Sequence, residues 1–84
     1  MNYAVSILRR AQKELGQLSS PSFERTCEAI RSLAGNPRPP GCRKLVGRDG
    51  WRIRVGDYRV IYSIDDSART ILVLHVGHRG DIYN

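Results

Sequence analysis

The stretch Trp51-Arg52-Ile53-Arg54-Val55-Gly56-Asp57-Tyr58-Arg59-Val60-Ile61-Tyr62 decides the fold. Gly56-Asp57 separates two runs rich in β-branched and aromatic residues, a length and composition suited to a tight hairpin. A two-residue loop fixes the register: Val55 faces Tyr58, Arg54 faces Arg59, Ile53 faces Val60, Arg52 faces Ile61 and Trp51 faces Tyr62. Strand alternation then gathers Trp51, Ile53, Val55, Tyr58, Val60 and Tyr62 on one face, the core side. The opposite face carries Arg52, Arg54 and Arg59. Like charges directly opposite one another destabilise a sheet. A sequence selected for stability alone would place Glu or Thr at position 54 or 59. The three arginines therefore point to a site for an anion, against the plainer reading of a solvated face kept soluble by arginine.

Working outward, Asp65 to Ala68 makes a turn, and Thr70 to Val76 is nearly continuous apolar sequence, as in a covered central strand. On the other side, Arg43 to Val46 reads as a short strand, followed by a turn at Gly47 to Gly50. Asn36-Pro37-Arg38-Pro39-Pro40-Gly41 is a stiff connector that cannot continue a helix. Before it, Phe23, Cys27, Ile30, Leu33 and Ala34 form a helical stripe that Gly35 ends, with Ser20 as cap and Pro21 at the first helical position. Leu8, Ala11, Leu15 and Leu18 mark an earlier helix, and Tyr3 to Ile7 a first strand. The expected fold is α+β: a helical hairpin packed on one face of a mainly antiparallel four- to five-stranded sheet, in the order β-α-α-β-β-β-β. A chain of 84 residues has room for one such domain, spanning residues 1–84.

Fourteen Lys and Arg against eight Asp and Glu leave a formal charge of +6. The surplus is uneven: residues 1–36 carry five basic and three acidic residues, residues 37–84 nine and five. Such a surface attracts polyanions or acidic proteins, and arginine's planar fork suits phosphate. No apolar run approaches the roughly 18–20 residues that span a bilayer, and the start of the chain lacks the features of a signal peptide. A cytoplasmic protein without membrane attachment is expected. Cys27 and Cys42 lie far apart without CxxC spacing, so free thiols are expected, Cys27 buried and Cys42 half-exposed.

A second cluster follows the last strand: Val76-Gly77-His78-Arg79-Gly80-Asp81-Ile82-Tyr83. His78 can titrate near neutrality, Arg79 adds a cation, and Tyr83 offers a ring for stacking on a base. His75, within an apolar stretch, reads as a hydrogen-bonded core residue. Asp65, Asp66 and Asp81 do not make a metal site, because turns use Asp routinely; no metal and no cofactor is expected.

These segments together resemble the RelE/ParE toxin superfamily: Asn36-Pro37-Arg38-Pro39 with Gly41, Lys44-Leu45-x-Gly47, the 51–62 hairpin, and Val76-Gly77-His78-Arg79 with Tyr83. The resemblance spans essentially the whole chain. The basic hairpin with the VGHR segment and the late tyrosine favours the RelE-like mRNA interferase branch. It implies the toxin of a type II toxin–antitoxin system, neutralised by a cognate antitoxin, acidic in character, that wraps it. The activity implied is metal-independent endoribonuclease cleavage of mRNA in the ribosomal A site, which inhibits translation. The 2′-OH attacks the adjacent phosphate and leaves a 2′,3′-cyclic phosphate and a 5′-OH. The partners implied are the ribosome, mRNA and the antitoxin, with operator DNA a further possible target of the toxin–antitoxin complex. Arg52 and Arg54 fall where better-known members carry lysines, Arg59 matches a phosphate-binding arginine, and Arg79 and Tyr83 match a C-terminal pair. A guanidinium holds its proton too tightly to be a good base. The reading therefore gives Arg52, Arg54, Arg59 and Arg79 phosphate binding and charge stabilisation. It leaves the base to His78 or to substrate and ribosomal groups, and gives Tyr83 the orientation of the RNA. Two other functions fit the same residues: a ParE-like inhibitor of DNA gyrase without catalysis of its own, and a non-toxic basic nucleic-acid-binding accessory domain.

Overall fold

The computed structural model of the chain describes residues 2–78. Its elements are β1 (Ala4–Ile7), α1 (Arg9–Gly16), α2 (Ser20–Ser32), β2 (Arg43–Lys44), β3 (Trp51–Val55), β4 (Tyr58–Asp65) and β5 (Thr70–His78). They form one five-stranded sheet in the order β1-β5-β4-β3-β2, with the two helices packed against it. Every pairing is antiparallel except β1 with β5, which is parallel. The β3–β4 hairpin has the register that a two-residue loop demands, from Val55 opposite Tyr58 to Trp51 opposite Tyr62. Gly56 takes the left-handed conformation this tight turn needs (φ 61°).

The helices bury residues three and four apart: Ala11 and Leu15 on α1, Thr26 and Ile30 on α2, with Leu33 just beyond. These meet Ile53, Val60, Tyr62, Ile71, Val73 and Val76 from the sheet, and the hairpin's apolar face is the core face. Several local readings shift. Phe23 lies at the margin of its stripe and stays 39% exposed. Helix α2 starts at Ser20, so Ser19 occupies the cap position, and its hydroxyl meets the Ser22 hydroxyl instead of the backbone. Strand β2 stops at Lys44, and Val46 stands 82% exposed in the loop that follows. Cys27 is only partly covered, as is Cys42.

The proline-rich connector is held from several sides. Tyr62, wholly buried, donates its hydroxyl to the Pro37 carbonyl at 2.7 Å. Burial pushes the Tyr62 phenol well above its usual pKa, which keeps it a donor. Arg38 donates to both oxygens of Asp66 (2.9 and 3.4 Å) and lies 4.9 Å over the Trp51 ring. The Tyr3 hydroxyl donates to the same carboxylate at 2.6 Å. The Arg38 and Tyr3 bonds hold the Asp66 carboxyl below the usual range. Being exposed, this cluster contributes position more than stability.

The outer edge of β1 is blunted at both ends. The Tyr3 amide donates to the Ala34 carbonyl (2.8 Å), and the Gln12 side chain donates to the Ile7 carbonyl (2.8 Å). Among the described residues no helix is long and apolar enough to cross a membrane.

Gly50 closes the loop before β3 with φ 134°, and its carbonyl accepts from the Leu45 amide at 3.0 Å. A Cβ there would sit 2.9 Å from Leu45 Cδ1, a buried side chain, and 3.4 Å from the Tyr62 carbonyl oxygen. Gly50→Ala is expected to lower stability by about 1–3 kcal/mol, read as a lower urea midpoint at unchanged slope. Gly47→Ala, also at positive φ but with open space around its Cβ, should lose less.

Candidate phosphate-binding face

The sheet register assembles more cations than the hairpin alone. Arg54 lies opposite Arg59, and Arg52 lies opposite Arg43 of β2. Because Arg52 and Arg54 are two residues apart on β3, Arg43, Arg52, Arg54 and Arg59 all belong to the face away from the core. Arg43 was missed from sequence. It becomes visible only when β2 is docked on β3, because a two-residue strand has no alternation to read.

This face is less open than three exposed arginines would make it. Arg52 is only 5% exposed, and its cross-strand partner Ile61 is buried at 1%. Arg59 is half-buried, whereas Arg54 and Arg43 are exposed. Burial lowers the Arg52 pKa from its ordinary value, and the charges of Arg59, Arg54 and Arg43 lower it further. The Arg52 guanidinium thus feels the other three. No carboxylate among the described residues forms an ion pair with Arg43 or Arg54. A crowd of like charges of this kind is relieved by an arriving anion.

Beside these arginines runs a trough of about 730 Å³. It lies along the open edge of β3, lined by Ser32 of α2, the Pro39–Pro40 segment, Cys42 and Arg43, and by Arg52, Ile53 and Arg54 of β3. It exists because the connector swings away from the sheet, leaving β3 beyond Arg52 without a neighbour on that side.

The histidines lie elsewhere. His78 pairs with Tyr58 in the β4–β5 register, and their rings meet edge to face at 5.7 Å between centroids. Val76 is a core residue, so alternation turns Gly77 toward the arginine face and His78 toward the helices. The structure therefore does not bring His78 together with Arg54 and Arg59. His75 is partly buried, with Nδ1 3.2 Å from Glu14 Oε2, and the Val76 amide donates to the other Glu14 oxygen at 2.9 Å. Arg79 and Tyr83 lie outside the described residues. Among the described residues no group of three or more His, Cys, Asp or Glu could hold a metal ion.

The family model described as the ParE toxin of the type II toxin–antitoxin system, parDE, matches residues 4–83. The chain belongs to the RelE/ParE toxin family. It is 34% identical to toxin RelG of Mycobacterium tuberculosis, over 99% of this chain and 98% of that protein. It is 30% identical to the putative toxin RelE1 of Methanocaldococcus jannaschii, over 99% and 97% of the two chains. Among solved structures, the toxin fold matches the archaeal RelE–RelB complex from Pyrococcus horikoshii with a TM-score of 0.85 and 34% identity, covering 98% of this chain and 100% of that one. As a RelE/ParE toxin the chain is the toxin of a type II toxin–antitoxin system, and its two helices on a mixed five-stranded sheet are the RelE architecture.

Proposed function

We propose that this toxin is a cytoplasmic, ribosome-dependent endoribonuclease that cleaves mRNA in the A site by attack of the 2′-OH on the neighbouring phosphate. The observation that carries this reading is the arginine face, where three strands carry Arg43, Arg52, Arg54 and Arg59 on one side of the sheet, with Arg43 and Arg54 unpaired by any described carboxylate. Charge builds on the phosphoryl oxygens as the pentacoordinate transition state forms. Guanidinium groups fixed on a sheet stabilise that charge without reorganising. Arg54 and Arg59 are the residues that touch the phosphoryl group in this scheme. Arg52, less accessible, raises the local potential and supports their positions. Arg79 and Tyr83 complete the site as a further cation and a surface that orients the RNA.

Proton removal from the 2′-OH needs a group of lower pKa than a guanidinium. With His78 turned toward Tyr58, we assign that proton to groups of the substrate and the ribosome. The reaction so written needs no metal. Neutralisation falls to an acidic antitoxin that wraps the toxin; the relatives solved as toxin–antitoxin complexes support an antitoxin partner. The complex of the two is proposed to bind operator DNA.

The matching family model is described as a ParE toxin, so the second reading is the ParE-like one raised by the sequence resemblance, inhibition of DNA gyrase. Mapping RNA 5′ ends after induction separates the two. New 5′-OH ends within translated codons are expected of the ribonuclease. DNA breaks and an SOS response with intact mRNA would instead establish the gyrase inhibitor.

A further inference from the structure

We propose that the trough beside Arg43 is a second phosphate subsite, which holds the RNA backbone one or two nucleotides away from the bond being cut. The proposal rests on the ribonuclease reading and extends it along the strand. Arg43 is exposed, sits across from Arg52, and contributes to the potential that lowers the Arg52 pKa. Strands lie about 4.8 Å apart and residues rise about 3.3 Å each, so the Arg43 and Arg59 backbones are separated by roughly 12 Å along a diagonal of the sheet. Side chains stand roughly perpendicular to a sheet. The two guanidinium groups are thus spread along a track, with Arg54 between them, and serve different phosphates.

The trough has the form of a channel for a single strand. One side is basic, while Pro39 and Pro40 offer an apolar wall against a ribose or base. Proline cannot donate to the ladder, and the Cys42 amide turns back to donate to the Pro39 carbonyl at 3.0 Å, so β2 starts only at Arg43 and leaves the gap beside β3. That wall is held in place beforehand. Pro37 is tied to Tyr62, and Arg38 is tied to Asp66 and stacked near Trp51. A site whose walls are already ordered loses less on binding than one that must assemble.

The test uses the whole toxin and two labelled oligonucleotides of 2′-O-methyl RNA, which cannot be cut: a dinucleotide with one internal phosphate and a hexanucleotide. Fluorescence anisotropy across a salt series gives affinity and its dependence on salt. For the hexanucleotide, Arg43→Ala is expected to weaken binding and to reduce the log–log salt slope by about 0.7, the increment of one phosphate contact on a single strand. Arg43→Lys should restore the slope. For the dinucleotide, Arg43→Ala should lose much less affinity than Arg59→Ala and should keep the wild-type salt slope. Circular dichroism confirms that each variant is folded. Equal affinity and slope for wild type and Arg43→Ala on the hexanucleotide would overturn the subsite, as would wild type failing to bind it. A loss confined to binding of an acidic antitoxin peptide would also overturn it, by making the trough a protein-docking site. Failure of the parent reading looks different: the Arg43 increment persists, but induction produces no cut mRNA.

Discussion

Arg59→Ala is expected to lower the rate of mRNA cleavage on ribosomes by two to three orders of magnitude, the loss typical of removing one donor from a charge-stabilising site. The fold should survive, because Arg59 lies on the face away from the core, opposite the like charge of Arg54. The variant's melting temperature should stay close to that of the parent toxin. Loss of activity without loss of stability is diagnostic. An arginine kept only for solubility would lose neither, and one kept for packing would lose both together. Arg59→Lys should fall between, since an ammonium keeps the charge but loses the two-pronged geometry. Single-turnover cleavage by purified toxin, beside thermal melts of the same samples, gives both readings. Full cleavage by a folded Arg59→Ala variant would remove Arg59 from the site.

The second large effect concerns stability. Leu33 is 1% exposed where α2 ends, packed in the core between helices and sheet. Leu33→Ala should lose about 2–5 kcal/mol through lost burial and the cavity left behind. A domain of this length has only about 4–13 kcal/mol in total, so the melting temperature should fall by more than about 10 °C. Phe23→Ala removes a larger side chain, yet one 39% exposed at the margin of its stripe. Its loss should be clearly smaller, on the order of 1 kcal/mol. A reversal of that order in urea or thermal unfolding would mean that α2 presents a different face to the sheet.

The hairpin was legible in full, down to its register, because a two-residue loop leaves no freedom once alternation assigns the faces. The order of elements followed from the change of period at Leu8 and from the prolines after Asn36. What escaped the sequence was whatever depends on a neighbour. Arg52 and Arg54 are equivalent by alternation, yet one is buried and the other exposed. His78 was grouped with the arginines because the last strand was ended at Val76, which placed it in a loop. The strand runs on to His78, and alternation then turns the ring toward Tyr58. Arg43 escaped because a strand of two residues has no period.

The parallel pairing of β1 with β5 carries a consequence for synthesis. Ala4 meets Thr70, and β5 lies between β1 and β4, so the last described strand to be made fills an interior place in the sheet. The first strand of the nascent chain must wait, unpartnered, until residues 70–73 have left the exit tunnel. Such distant pairings form slowly, and Arg59 gains its neighbour Gly77 only at the same late stage. The arginine face of the nascent chain thus has no finished sheet behind it until translation of the described residues is nearly over.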